Sequence, residues 1–146
     1  MIRQANKFDK KEVIEMMLKG REEVDINIIN DMDNQEWWEQ IFDSILAGRG
    51  FILLAEGKGL IMGVKTPSLW CGKTILLCSL AWYVRPEFRH TSIGHKLFSS
   101  FMKVGKELKQ AGAISQIVVG KMHNSPTLNY DRHGFIKMEE TWISSL

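Results

Sequence analysis

Two rhythms of apolar residues divide the chain. Val13, Ile14, Met17 and Leu18 share one face of a helix, with Asp9 and Glu12 at capping-box spacing before it and Gly20 as its stop. Met1–Gln4 ahead of it reads as a short strand. Arg21–Gln35 is polar with scattered Ile and Val and has no sustained period. Glu36–Ala47 returns to helical spacing, with Trp37, Ile41 and Ile45 on one stripe and Trp38 and Phe42 on the next, before Gly48 and Gly50.

The rhythm then changes to that of strands. Phe51–Glu56 and Leu60–Lys65 flank Gly57-Lys58-Gly59, a hairpin signal. Thr66–Gly72 holds Pro67 and Gly72 and reads as a loop. Thr74–Val84 is an apolar run stopped by Pro86, the pattern of a central strand buried on both faces. From Thr91 to Gln110, Ile93, Leu97, Phe101, Val104 and Leu108 fall on one helical face, with lysines mostly on the other. Ile114–Val119 predicts a strand, Ser125–Arg132 a short helix and Phe135–Ile143 a terminal strand or hairpin arm. The order β-α-α-β-β-β-α-β-α-β predicts an α/β (α+β) domain with a mixed, mostly antiparallel sheet flanked by helices. With 146 residues and neither repeat nor linker, residues 1–146 read as a single domain.

Composition narrows the partners. Hydrophobic residues make up 45% and charged residues 25%, the balance of an ordinary globular protein, and the formal net charge of +2 is too small to argue for nucleic acid or an anionic membrane. Cys71 and Cys78 complete no metal pattern, and reduced thiols without a signal peptide predict a cytoplasmic protein. The five tryptophans, Trp37 and Trp38 among them, read as core or lid contacts.

The chemistry concentrates where the apolar strand meets the long helix. A helix starting directly after a buried strand directs unpaired N–H groups and its positive dipole end into the space at the sheet's end, where they suit phosphate. Here that junction holds Arg89, His90, Thr91, Ser92, Ile93, Gly94 and His95, offering positive charge, hydroxyls and a glycine for close approach.

Arg89-His90-Thr91-Ser92-Ile93-Gly94 resembles the Arg/Gln-x-x-Gly-x-Gly/Ala signature of the GNAT (GCN5-related) N-acetyltransferases, with Ser92 in the first glycine position. Asn124 and Tyr130-Asp131-Arg132-His133-Gly134-Phe135 resemble that family's Asn…Leu-Tyr-x-x-x-Gly-Phe segment, with the Asn one residue closer to the Tyr. The likeness covers Thr74–Phe135; the first half agrees in its order of elements.

The resemblance implies an acetyl-CoA-binding fold in which the cofactor arm lies in a gap beside the central strand. It faces the backbone of Trp82, Tyr83 and Val84, with the pyrophosphate at Arg89–His95 and Asn124 nearby. It implies acetyl transfer to a primary amine of a small molecule or protein by direct attack, with Tyr130 as proton donor to the departing thiolate. Glu22, Glu23, Asp25, His123 and Glu139 are unranked candidates for a base, because the central strand offers Ser79, Ala81 and Tyr83 and no carboxylate. The alternative is a GNAT-fold domain without catalysis, serving as a coenzyme A-binding or interaction module. The terminal strand Lys137–Ile143 is also suited to pairing across a homodimer.

Overall fold

The computed structural model describes residues 1–126 and 128–146. Five strands form one sheet in the order β1 (Ile2–Gln4), β2 (Gly50–Ala55), β3 (Gly59–Pro67), β4 (Ile75–Val84), β5 (Gln116–Val118). Pairing is antiparallel except between β4 and β5, which run parallel. The helices α1 (Lys10–Glu23), α2 (Asn27–Asn30), α3 (Gln35–Ser44) and α4 (Ile93–Gln110) complete a mixed, mostly antiparallel α/β architecture.

Strand alternation sorts the apolar residues onto two faces. Ile52, Leu54, Leu60 and Met62 meet Val13, Met16 and Met17 of α1 and Phe42 of α3. Phe51, Leu53, Ile61 and Leu77 meet Leu97, Phe98 and Phe101 of α4. The pairing of β3 with β4 slips between Met62 and Gly63: Met62 opposes Ala81, Gly63 opposes Ser79, and Leu80 bulges out unpaired and exposed. Gly63 has no room for a side chain here, because a Cβ would lie 2.8 Å from Phe101 and 2.9 Å from Leu77.

Several elements depart from the sequence expectation. The capping box sits one turn earlier than Asp9/Glu12. Asn6 caps the turn Lys7–Asp9, accepting from the Phe8 N–H at 2.9 Å, while the Asp9 carboxylate accepts from the Asn6 N–H at 2.8 Å. Two further 2.8 Å bonds from Arg3 hold Asp9, so a tertiary ion pair recruits the carboxylate that spacing alone assigned to α1. Helix α1 also runs through Gly20 to Glu23: the glycine lets the helix pass over the Tyr83 ring, 3.3 Å from where a Cβ would be. Within Arg21–Gln35, Asn27–Asn30 forms the short α2, and Asn34 caps α3 by accepting from the Trp37 N–H at 3.0 Å.

β4 is half-buried along most of its length rather than covered on both faces, because β5 pairs only with Leu76–Cys78. After β5 the chain is irregular. The expected helix over Ser125–Arg132 reduces, among the described residues, to one turn at Tyr130–His133, with Thr127 outside them. The expected strand Phe135–Ile143 does not form. Gly134, at φ 82°, turns the chain so that the Phe135 N–H returns to the Tyr130 carbonyl at 3.1 Å, and Lys137 pairs with Glu140 three residues on. Among the described residues, no helix is long and apolar enough to cross a membrane.

Candidate functional site

The parting of β4 from β5 makes the cleft. Their ladder ends at Cys78 and Val118, and the Gly120 N–H then donates to the Ser79 hydroxyl at 3.1 Å, marking the point of divergence. Beyond it, Ser79 and Ala81–Val84 remain paired with β3 on one side and open on the other. The Arg85 N–H donates to the Lys58 carbonyl at 2.8 Å, toward β3. By strand alternation the backbone groups of Tyr83 also face β3, whereas those of Trp82 and Val84 face the gap. The three expected arm-facing residues thus divide, Trp82 and Val84 from Tyr83.

The start of α4 lies at the mouth of this gap. The Lys96 N–H makes the first helical bond, to the Ser92 carbonyl at 2.9 Å, and the Ile93 N–H reaches the Thr91 hydroxyl at 3.4 Å. The N–H groups of Ser92, Gly94 and His95 have no acceptor among the described residues. A Cβ on Gly94 would lie 3.6 Å from Val84 and 3.9 Å from Trp82, so the first helical turn rests on the end of β4. Ser92 sits at φ −80°, where any residue is comfortable, so the serine in place of glycine imposes no backbone strain. The Thr91 hydroxyl is already committed, donating to the Phe88 carbonyl at 2.5 Å. His90 and His95 are exposed beside it.

Trp82 supplies the wall on the α4 side. Its ring stacks on Phe98 with centroids 5.4 Å apart, and its indole N–H is buried without a partner among the described residues. A buried donor left unpaired is costly, and a ligand acceptor in the cleft would satisfy it. Tyr130 stands edge-on to Phe98 at 6.4 Å and to Phe135 at 5.9 Å. Burial raises its phenol above the ordinary value of 10, so it keeps its proton throughout the neutral range.

The opposite wall gathers residues that are remote in sequence. The Tyr83 hydroxyl donates to Glu23, the last residue of α1, at 3.2 Å. Arg89 folds back over the Tyr83 ring, 5.5 Å from its centroid, donates from Nε to the Val84 carbonyl at 2.8 Å, and pairs with Glu23 through Nη2. Burial first, then the Glu23 charge, raises the Tyr83 phenol above its ordinary range. Asn124 bridges the gap, donating to the Glu23 carbonyl at 3.2 Å. Of the five candidate bases, Glu23 is the one these contacts bring to the cleft. Between Arg21 and Arg49 the chain has eight carboxylates and no Lys or Arg, so the stretch from the end of α1 through α3 forms an acidic flank while α4 carries lysines.

The fold has many solved counterparts. It superposes on a predicted acetyltransferase with acetyl-CoA from Clostridium acetobutylicum with a TM-score of 0.72 and 15% identity, covering 99% of this chain and 94% of the other. It matches a GNAT family acetyltransferase of Staphylococcus aureus with a TM-score of 0.59 and 17% identity, over 100% and 98% of the two chains. A transcriptional regulator from Bacillus halodurans matches with a TM-score of 0.71 and 15% identity, over 100% and 99%. No protein-family model and no curated protein matches the sequence. The chain has the fold of the GNAT acetyltransferases.

Proposed function

We propose that this chain is an N-acetyltransferase that uses acetyl-CoA to acetylate a primary amine of a small molecule or protein. One observation carries the reading: the open edge of β4, with Trp82 and Val84 facing the gap, ends beside the unpaired N–H groups at the start of α4. An extended chain ending in a pyrophosphate suits that arrangement, because strand-edge groups hold an extended arm and a helix start holds phosphate. The unpartnered indole N–H of Trp82 fits the same ligand, and His90, His95 and Asn124 line its approach.

When bound, acetyl-CoA supplies an activated acetyl group that an amine accepts directly. The protein's part is to bind and orient. The N–H groups of Ser92, Gly94 and His95 hold negative charge, the Trp82 and Val84 backbones align the arm, and a backbone N–H facing the gap stabilises charge developing on a carbonyl oxygen. A well-placed donor of that kind is worth about 2.7–4 kcal/mol. The Tyr130 hydroxyl holds a proton for the leaving thiolate. A second reading, a coenzyme A-binding module without catalysis, is favoured by the lack of a carboxylate on β4 and by Ser92 at the signature's first glycine.

Thermal unfolding with acetyl-CoA, and with adenosine 3′,5′-bisphosphate for comparison, tests cofactor binding. Ligand at a hundred times its Kd adds about 2.7 kcal/mol, a shift of several degrees. No shift at millimolar acetyl-CoA sinks both readings. A shift that Arg89→Glu or Gly94→Asp removes, with thiol release in the presence of an amine panel, supports the enzyme; a shift without thiol release supports the binding module.

A further inference from the structure

The Arg89 side chain lies where it obstructs the site it is expected to serve. It arises three residues before Ser92, next to the unpaired N–H groups of α4, yet it turns away from them. Its Nε occupies the Val84 carbonyl, one of the backbone groups on the open edge of β4. Its Nη2 occupies the Glu23 carboxylate, which the Tyr83 hydroxyl holds from another side, while the Asn124 amide fastens the Glu23 backbone carbonyl. Arg89 therefore covers the strand edge and a carboxylate at once.

We propose, on the basis of the acetyl-CoA reading above, that Glu23 is a positioning residue that competes with the cofactor's phosphates for Arg89. In the free protein Glu23 and Val84 hold the guanidinium. On cofactor binding it turns to the phosphates at the start of α4, which clears the strand edge for the arm and uncovers Glu23 toward the acceptor side. Two physical points favour the exchange. The Arg89 and Glu23 side chains are 47% and 37% exposed, so their pair is weak and screened. A phosphate instead offers guanidinium its preferred two-pronged geometry at a helix start that already favours negative charge. The uncovered carboxylate, beside an acidic flank, suits a cationic amine, and the acceptor then follows the cofactor onto the protein.

Calorimetric titration of coenzyme A into the wild type, Glu23→Gln, Arg89→Gln and the double variant tests this. Glu23→Gln is expected to tighten coenzyme A by about two- to fivefold, the range for an exposed ion pair. Arg89→Gln is expected to weaken it, and the gain from Glu23→Gln is expected to vanish when Arg89 is absent. A purely structural role for Glu23 gives the opposite sign, since loosening α1 against β4 weakens binding. Unchanged or weaker binding by Glu23→Gln overturns the proposal and leaves the acetyltransferase reading standing. An equal gain in the Arg89→Gln background also overturns it, since Glu23 then acts through overall charge. A wild type that does not bind coenzyme A overturns both.

Discussion

Trp82 and Phe98 stack with ring planes inclined by 21°, and this contact between β4 and α4 makes the wall of the cleft continuous with the core. Phe98 is fully buried and also meets Tyr130, His133 and Phe135, so a single ring joins the strand, the helix and the chain after β5. Phe98→Ala removes that hub and is expected to cost about 3–5 kcal/mol. Urea unfolding measures the loss. A red shift of tryptophan emission in the folded baseline is expected as well; a variant that keeps wild-type stability contradicts the packing described.

Two glycines on the walls should respond in opposite ways. At Gly63 an added methyl meets Phe101, Leu77 and Phe51 at 2.8–3.2 Å, so Gly63→Ala is expected to destabilise by about 1–3 kcal/mol. At Gly94 the nearest atom is 3.6 Å away, so Gly94→Ala should leave the melting temperature unchanged or slightly raised. Paired thermal melts compare them directly.

Acid should reach the Arg3–Asp9 pair late, below the ordinary carboxylate range. The hydrogen bonds from Arg3 hold the Asp9 carboxyl below its ordinary 3.8, against the opposing pull of burial. A depressed carboxyl stabilises the fold above its unfolded value and loses that contribution as pH falls through the folded value. Asp9→Asn is therefore expected to be less stable than the wild type at pH 7 by about 1–3 kcal/mol, with the gap narrowing below pH about 3.8. Denaturation midpoints across pH 2–7 report the difference, and a constant gap refutes this assignment.

Tyr130 separates chemistry from binding. Tyr130→Phe keeps the ring that packs on Phe98 and Phe135 and removes only the hydroxyl. With an amine that gives turnover, kcat is expected to fall by about 10²-fold while coenzyme A affinity stays within twofold, the size expected for a lost general acid. Because burial raises the phenol, the wild-type rate should not decline through this group below pH about 10. Single-turnover rates of wild type and variant decide the point.

Local pattern revealed the α4 side of the cleft and little of the α1 side. The strand stop at Pro86, the residues Arg89–Gly94 and the amphipathic α4 are contiguous, so periodicity and order sufficed to find them. Glu23 meets Tyr83 sixty residues away, and Asn124 reaches Glu23 across 101. Nothing in local spacing distinguishes Glu23 from Glu22. Asp9 illustrates the same blindness: Asn6/Asp9 and Asp9/Glu12 have equal capping spacing, and the distant Arg3 decides between them. At Phe135–Ile143 an apolar-rich run suggested a strand, yet the turn at Gly134 and the aromatic contacts of Phe135 organise that start differently.

The bulge at Leu80 works on β4 as a frameshift works on a message. Ahead of it Leu77 faces α4 and Cys78 faces α1; after it the parity is reversed, with even-numbered Trp82 and Val84 beneath α4 and odd-numbered Ala81 and Tyr83 toward α1. Give Leu80 a regular place in the pleat and the alternation runs through uncorrected, delivering Trp82 to the α1 side and Tyr83 beneath α4, out of reach of Glu23. The identity of both walls therefore rests on Leu80 being left out of the pleat as much as on which residues line them.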